Sequence, residues 1–198
     1  TEEEAASSKG ARHIGRTRAP VCCVIGEPSA TRAVTLGYKG RIVFSYQADA
    51  DASPSAATEE NVIDAAVTFW NRVRRWAETE STGKKMFDAL DPVLREIHSK
   101  SDGLSDSIRL RASIRIPLGR TPQAVQAQIE ALAPAGACLR FWGGDLPYRA
   151  EKNTSLVRAF LAAIRAEGIE PAFKVKSGTS DMNVVGPAWN CPMVAYGP

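Results

Sequence analysis

The pattern of apolar and polar positions divides the chain into short strands and amphipathic helices. Val21-Cys22-Cys23-Val24-Ile25 is an apolar run that stops at Gly26, as a short buried strand does. Arg41 to Gln47 alternates and predicts a half-buried strand. Glu59 to Glu80 carries Val62, Ala65, Ala66, Phe69, Val73 and Trp76 at helical spacing, with Thr58 as the expected N-cap. Val93 to Ile97 and Ile108 to Ile116 are strand-like, joined by a turn at Ser101-Asp102-Gly103. In the second, Ile108, Leu110, Ala112, Ile114 and Ile116 fall on one face, and Arg109, Arg111, Ser113 and Arg115 on the other. This strict period of two predicts a sheet with one wet face. Thr121-Pro122 opens a helix through Leu132, and Gly136 to Trp142 predicts another strand.

From residue 36 to 143 the order is strand, helix, strand, strand, helix, strand, the split βαβ arrangement. Around it lie a short helix within 5–15, the 21–25 strand, a helix over 153–166, a strand over 172–175, a loop at 177–181 leading into a short helix, and a strand over 193–196. The expected architecture is α/β, with residues 36–147 inserted into a second α/β domain built from 1–35 and 148–198.

Composition narrows the function classes. The chain has 198 residues, 44% of them apolar, and a net charge of +3, too mild for nucleic-acid binding by charge alone. It has no apolar run long enough for a membrane span and no signal peptide, so the expectation is a cytoplasmic protein. Three of the four cysteines lie in strand-like runs, which predicts reduced packing residues, and no C-x-x-C pattern occurs. The chain begins and ends inside motifs, as a fragment of a longer protein would.

Several stretches carry candidate chemistry. Glu2-Glu3-Glu4 is either a solvated acidic terminus or an adjacent pair in which one carboxylate binds a metal and its neighbour takes a proton from the attacking water. Glu27, between Gly26 and Pro28, is either a turn carboxylate or a metal ligand set outside its strand. Gly178-Thr179-Ser180-Asp181 reads equally as a helix cap, at Thr179, Ser180 or Asp181, and as a cradle for a substrate carboxylate. His13 and His98, the two histidines, read as surface residues. The arginine stripe is a solvated face or an anion-recognition surface.

These motifs occur in a recognisable order: Glu2-Glu3-Glu4 with Ala5 to Arg12, Ile25-Gly26-Glu27-Pro28-Ser29, Gly37-Tyr38-Lys39-Gly40, and Gly178 to Val185 with Trp189 to Pro198. That order resembles the zinc-dependent deacylase family of acetylornithine deacetylase, succinyl-diaminopimelate desuccinylase and aminoacylases. The C-terminal stretch resembles its branch acting on acyl-lysine or acyl-ornithine, including hydrolases that free lysine or ornithine from an amino-group carrier protein.

The resemblance implies a partial zinc-peptidase-like catalytic domain and, at 36–147, a ferredoxin-like βαββαβ lid that dimerises. It implies Glu3 as general base and Glu4 and Glu27 as metal ligands, with the triple glutamate also allowing a register shifted by one residue. It places Arg115, Gly178 and Thr179 against substrate, and implies two zinc (or cobalt) ions per complete site, an acyl-lysine or acyl-ornithine substrate, an acidic carrier protein as partner, and a homodimer. The family's metal-ligating histidines and bridging aspartate are not in the chain, nor is the lid histidine near Ala50 to Pro54. The resemblance therefore implies a chain that is inactive alone; the alternative reading is a dimerisation or carrier-docking module without catalysis.

Overall fold

The computed structural model describes residues 7–51 and 60–197. Glu2, Glu3 and Glu4, and the cap expected at Thr58, lie outside them. Nine strands and five α-helices are described: α1 (Lys9–Ile14), β1 (Cys23–Ile25), β2 (Ala33–Tyr38), β3 (Gly40–Asp51), α2 (Val62–Ser81), β4 (Asp91–Ser101), β5 (Ser105–Ile116), α3 (Pro122–Leu132), β6 (Cys138–Asp145), β7 (Tyr148–Arg149), α4 (Ser155–Ala166), β8 (Ala172–Lys176), α5 (Met182–Trp189) and β9 (Met193–Ala195). They form two compact units, one of Thr1–Gly40, Pro117–Gly119 and Asp145–Pro198, the other of Arg41–Ile116 and Arg120–Gly144. Among the described residues no helix is long and apolar enough to cross a membrane.

The first unit is built on β2. Every residue of β2 is buried, the pattern of a strand covered on both faces. It pairs parallel with β8 and antiparallel with β7 and β9, and β9 pairs parallel with β1. Val34, Leu36 and Val194 pack with Val157 and Ile164 of α4. Tyr38, Met193 and Ala195 pack with Ala11 of α1 and with Met182 and Val185 of α5. The sheet is thus the middle of three layers. Two glycines are required by close approach: a Cβ at Gly40 would lie 2.3 Å from Asp145 O, and one at Gly186 would lie 2.4 Å from the Tyr148 ring.

The second unit is a four-stranded sheet in the order β4-β5-β3-β6, which is the strand order of a split βαβ fold. Along β5 the expected alternation holds: Ile108, Leu110, Ala112, Ile114 and Ile116 are buried, whereas Arg109 and Arg111 are exposed. Ser113 departs from it and is buried on the other face. The core is completed by Phe44 and Tyr46 of β3, by Ala66, Phe69, Trp70, Val73 and Ala77 of α2, and by Val125 and Ile129 of α3. Phe69 stacks on Tyr46, ring centroids 5.0 Å apart, and meets Phe44 edge-on.

The helix caps are local chemistry. Thr121 Oγ1 accepts from Ala124 N, and Thr154 Oγ1 accepts from Val157 N. For α2 the cap within the described residues is Asn61, whose Oδ1 accepts from Ile63 N and Asp64 N. Two cysteines correct the sequence reading: Cys22 and Cys138 are exposed, so they are not packing residues, although all four thiols are free.

Replacing Phe69 by Ala should lower the second unit's stability by about 3–5 kcal/mol, because the vacated space is walled by rigid strands. The neighbouring exposed Val67→Ala should stay within about 0.5 kcal/mol. Denaturant unfolding of the two variants measures the contrast.

Candidate functional site

The turn after β1 is held by backbone and lysine contacts. Glu27 N donates to Ile25 O at 2.9 Å, Tyr196 N to the same oxygen at 3.0 Å, and Ser29 N to Gly197 O at 3.0 Å. A Cβ at Gly197 would stand 3.0 Å from Glu27 O, so the two chain segments run together only with glycine there. From β8, Lys174 Nζ donates to Ser29 O at 2.8 Å and Lys176 Nζ donates to Pro28 O. Because β8 follows β2, and β2 runs against β9 and β1, the strands β1 and β8 end at opposite ends of the sheet. The turn at residues 26–28 and the length of the Lys176 side chain bring Glu27 and the loop after β8 within electrostatic reach.

Glu27 is half-buried. Burial raises its pKa above the usual carboxylate value; the Lys176 ammonium opposes this and the Asp181 carboxylate adds to it. Beside it, Tyr38 is 1% exposed. Its Oη makes no hydrogen bond of good geometry among the described residues, though the Ser180 hydroxyl is near enough to favour ionisation slightly. Burial, with the Glu27 charge, pushes this phenol up to about 12. The Lys176 ammonium stands 5.9 Å from the centre of the Tyr38 ring.

The loop carrying Gly178 and Thr179 is fixed by one buried amide. Asn183 Oδ1 accepts from Ser180 N at 2.9 Å, and its Nδ2 donates to Lys39 O at 3.1 Å and Leu146 O at 2.7 Å. Ser180 Oγ accepts from Met182 N, so among the three cap candidates Ser180 serves the first turn of α5. Asp181 occupies the N-cap position without a side-chain bond.

The structure therefore gathers Glu27 with the loop of Gly178, Thr179, Ser180 and Asp181, and adds Tyr38 and Lys176, whose roles sequence reasoning missed. Arg115 belongs to the other unit, half-buried on β5 opposite Asp91. His13 and His98 are exposed, as expected. Burial and neighbouring thiols raise the Cys23 pKa, and burial raises that of Cys191, which disfavours either as a nucleophile. Among the described residues no group of three or more His, Cys, Asp or Glu is placed to hold a metal ion. Glu27 fits as one oxygen donor, and a complete ligand set needs others beyond the described residues.

No protein-family model matches the chain. In three dimensions it is similar to the aminopeptidase PepT from Bacillus cereus, with a TM-score of 0.74 at 12% identity over 100% of this chain and 54% of that one. It is likewise similar to an M20 family metallo-carboxypeptidase from Sulfolobus solfataricus, with a TM-score of 0.71 at 12% identity over 98% of this chain and 60% of that one. The fold is thus that of M20-type metallopeptidases. In sequence the chain is 42% identical to the [LysW]-lysine hydrolase of Deinococcus radiodurans, over 100% of this chain and 56% of that protein. It is 32% identical to a putative [LysW]-lysine/[LysW]-ornithine hydrolase of Thermococcus kodakarensis, over 99% of this chain and 51% of that protein. The chain is a relative of these hydrolases and spans about half their length.

Tyr38 yields a pH prediction. Its folded pKa lies above the unfolded value of 10.0, so its contribution is complete below pH 10 and is lost as pH rises towards about 12, where the unfolded chain releases the proton first. Tyr38→Phe should lose less stability than the parent chain between those pH values. Melting temperature against pH measures the difference.

Proposed function

We propose that the full-length protein is a metal-dependent amide hydrolase that releases lysine or ornithine from a carrier-linked or N-acyl precursor in amino-acid biosynthesis. The observation that carries this reading is the 42% identity, along the whole chain, to a [LysW]-lysine hydrolase. The M20-type fold is consistent with it.

In this reading Glu4 and Glu27 hold metal, zinc or cobalt, which supplies Lewis acidity at the scissile carbonyl when bound. Glu3 takes the proton from the attacking water and returns it to the leaving amine. The alternative register moves the Glu3 and Glu4 roles by one residue. Gly178 and Thr179 receive the substrate, and Arg115 pairs with an anionic group on it. The anchored turn around Glu27 supports its part, since a ligand must be held in place before the ion arrives. Residues 36–147 act as lid and dimerisation domain, with the long, exposed edge strand β4 as the surface that pairs with a second copy. The free thiols suit a cytoplasmic location.

In the full-length protein, Glu3→Ala should lower turnover at least about 100-fold, the scale of general acid–base catalysis, with metal content retained. Metal analysis beside steady-state kinetics reads both; undiminished turnover removes Glu3 from the role. Light scattering of the full-length protein should give twice the mass of one chain, and a charged residue in place of Ile97 on β4 should halve it.

A further inference from the structure

We propose that Tyr38 is a positioning residue, whose phenol donates a hydrogen bond to the Glu27 carboxylate and so holds it in one orientation for the metal. This rests on the hydrolase reading, in which Glu27 is a metal ligand, and adds the group that orients it.

Tyr38 is the last residue of β2, and its side chain is fully buried. The ring belongs to the core that includes Met182, Val185, Met193 and Ala195. Packing explains the ring but not the hydroxyl. Tyr38 Oη is buried and has no hydrogen-bond partner among the described residues. A buried donor left unpaired costs folding free energy, and phenylalanine would fill the same space without it. Glu27 is the complementary case. Its backbone is fixed on both sides, yet among the described residues no group donates a hydrogen bond to its half-buried carboxylate. An ionised carboxylate only accepts, and a phenol, protonated at neutral pH, can donate.

The two groups stand together. Lys176 Nζ donates to Pro28 O, the carbonyl of the residue after Glu27, and lies 5.9 Å from the centre of the Tyr38 ring. The Glu27 charge acts on the phenol itself. The other nearby donors are committed elsewhere. Lys176 reaches the turn through that backbone carbonyl and forms no ion pair with Glu27. Ser180 Oγ accepts from Met182 N, which leaves its own proton for the phenol oxygen beside it. Ser180, Tyr38 and Glu27 thus make a chain in which each hydroxyl donates once, and such chains strengthen their links. A turn of the Glu27 side chain, which no hydrogen bond restrains, closes the last link. A ligating carboxylate held this way has one orientation instead of several.

The test titrates the full-length protein with cobalt(II), followed by its visible absorption. The same titration is run on Tyr38→Phe, Tyr148→Phe, Glu27→Ala and the double variant Tyr38→Phe/Glu27→Ala. Tyr148 is a second partly buried phenol of the same unit and serves as the control. Tyr38→Phe should raise the Kd for cobalt(II) at least about tenfold, the lower end of the effect of removing a ligand's hydrogen-bond partner, and should shift the visible bands. Its Tm at neutral pH should not fall, because the deleted hydroxyl has no partner within the fold. Tyr148→Phe should bind as the parent does. The double variant should match Glu27→Ala, since the phenol acts through that carboxylate. An unchanged Kd in Tyr38→Phe, an equal loss in Tyr148→Phe, or a further loss in the double variant would overturn the proposal. If Glu27→Ala binds cobalt(II) as tightly as the parent, Glu27 is not a ligand, and the positioning role falls with that assignment.

Discussion

Complete burial of β2 is the constraint on which the first unit depends. A strand with no exposed residue must be covered on both faces and paired along both edges, or its backbone groups go unsatisfied. Four features follow. Strand β8 lies along one edge, β7 and β9 share the other, and helices close both faces. Polar Thr35 is carried into the interior because the strand has no wet side on which to place it, and Lys39, directly after the strand, is buried as well. Tyr38 is carried in the same way, and its phenol then stands in a low-dielectric pocket next to Glu27.

Around that strand, scaffolding rather than proximity in sequence makes the candidate site. Glu27 is fixed through its neighbours' carbonyls, which accept from Lys174 and Lys176 of a strand almost 150 residues away, at separations of 145 and 148. Asn183 satisfies three buried backbone groups from three separate segments, so the 177–181 loop is tied to the end of β2 and to Leu146. A buried polar network that is fully bonded specifies one arrangement, and a partly bonded one would be costly. The turn of Glu27 and the 177–181 loop are thereby set in the resting fold.

The legible part of the sequence was the part with a strong period. The alternation of β5 and the stripe of α2 follow from having one buried face each, and both were read nearly residue by residue. Trp70 and Ala77 join the buried side of α2, and Trp76 is only partly covered, because the helix packs on a sheet and on α3 at once. Strand β2 was not read as a strand: buried on both faces, it has no alternation to show, and Gly37 and Thr35 interrupt the apolar run. The cap of α2 expected at Thr58 lies outside the described residues, and within them Asn61 caps the helix through two amides. Glu27 and the Gly178 loop were found because turn residues flank them. Tyr38, Lys176 and Asn183 left no such trace, since their roles arise from contacts between distant segments.

Different surfaces of the fold can serve different parts of one substrate. A lysine held through an amide offers few atoms, and binding energy spent uniformly on those atoms lowers KM without speeding the chemical step. A carrier changes this balance, because affinity can come from a large, unreacting body recognised elsewhere. On the proposed reading, the turn of Glu27 is free to be shaped for the reacting amide alone.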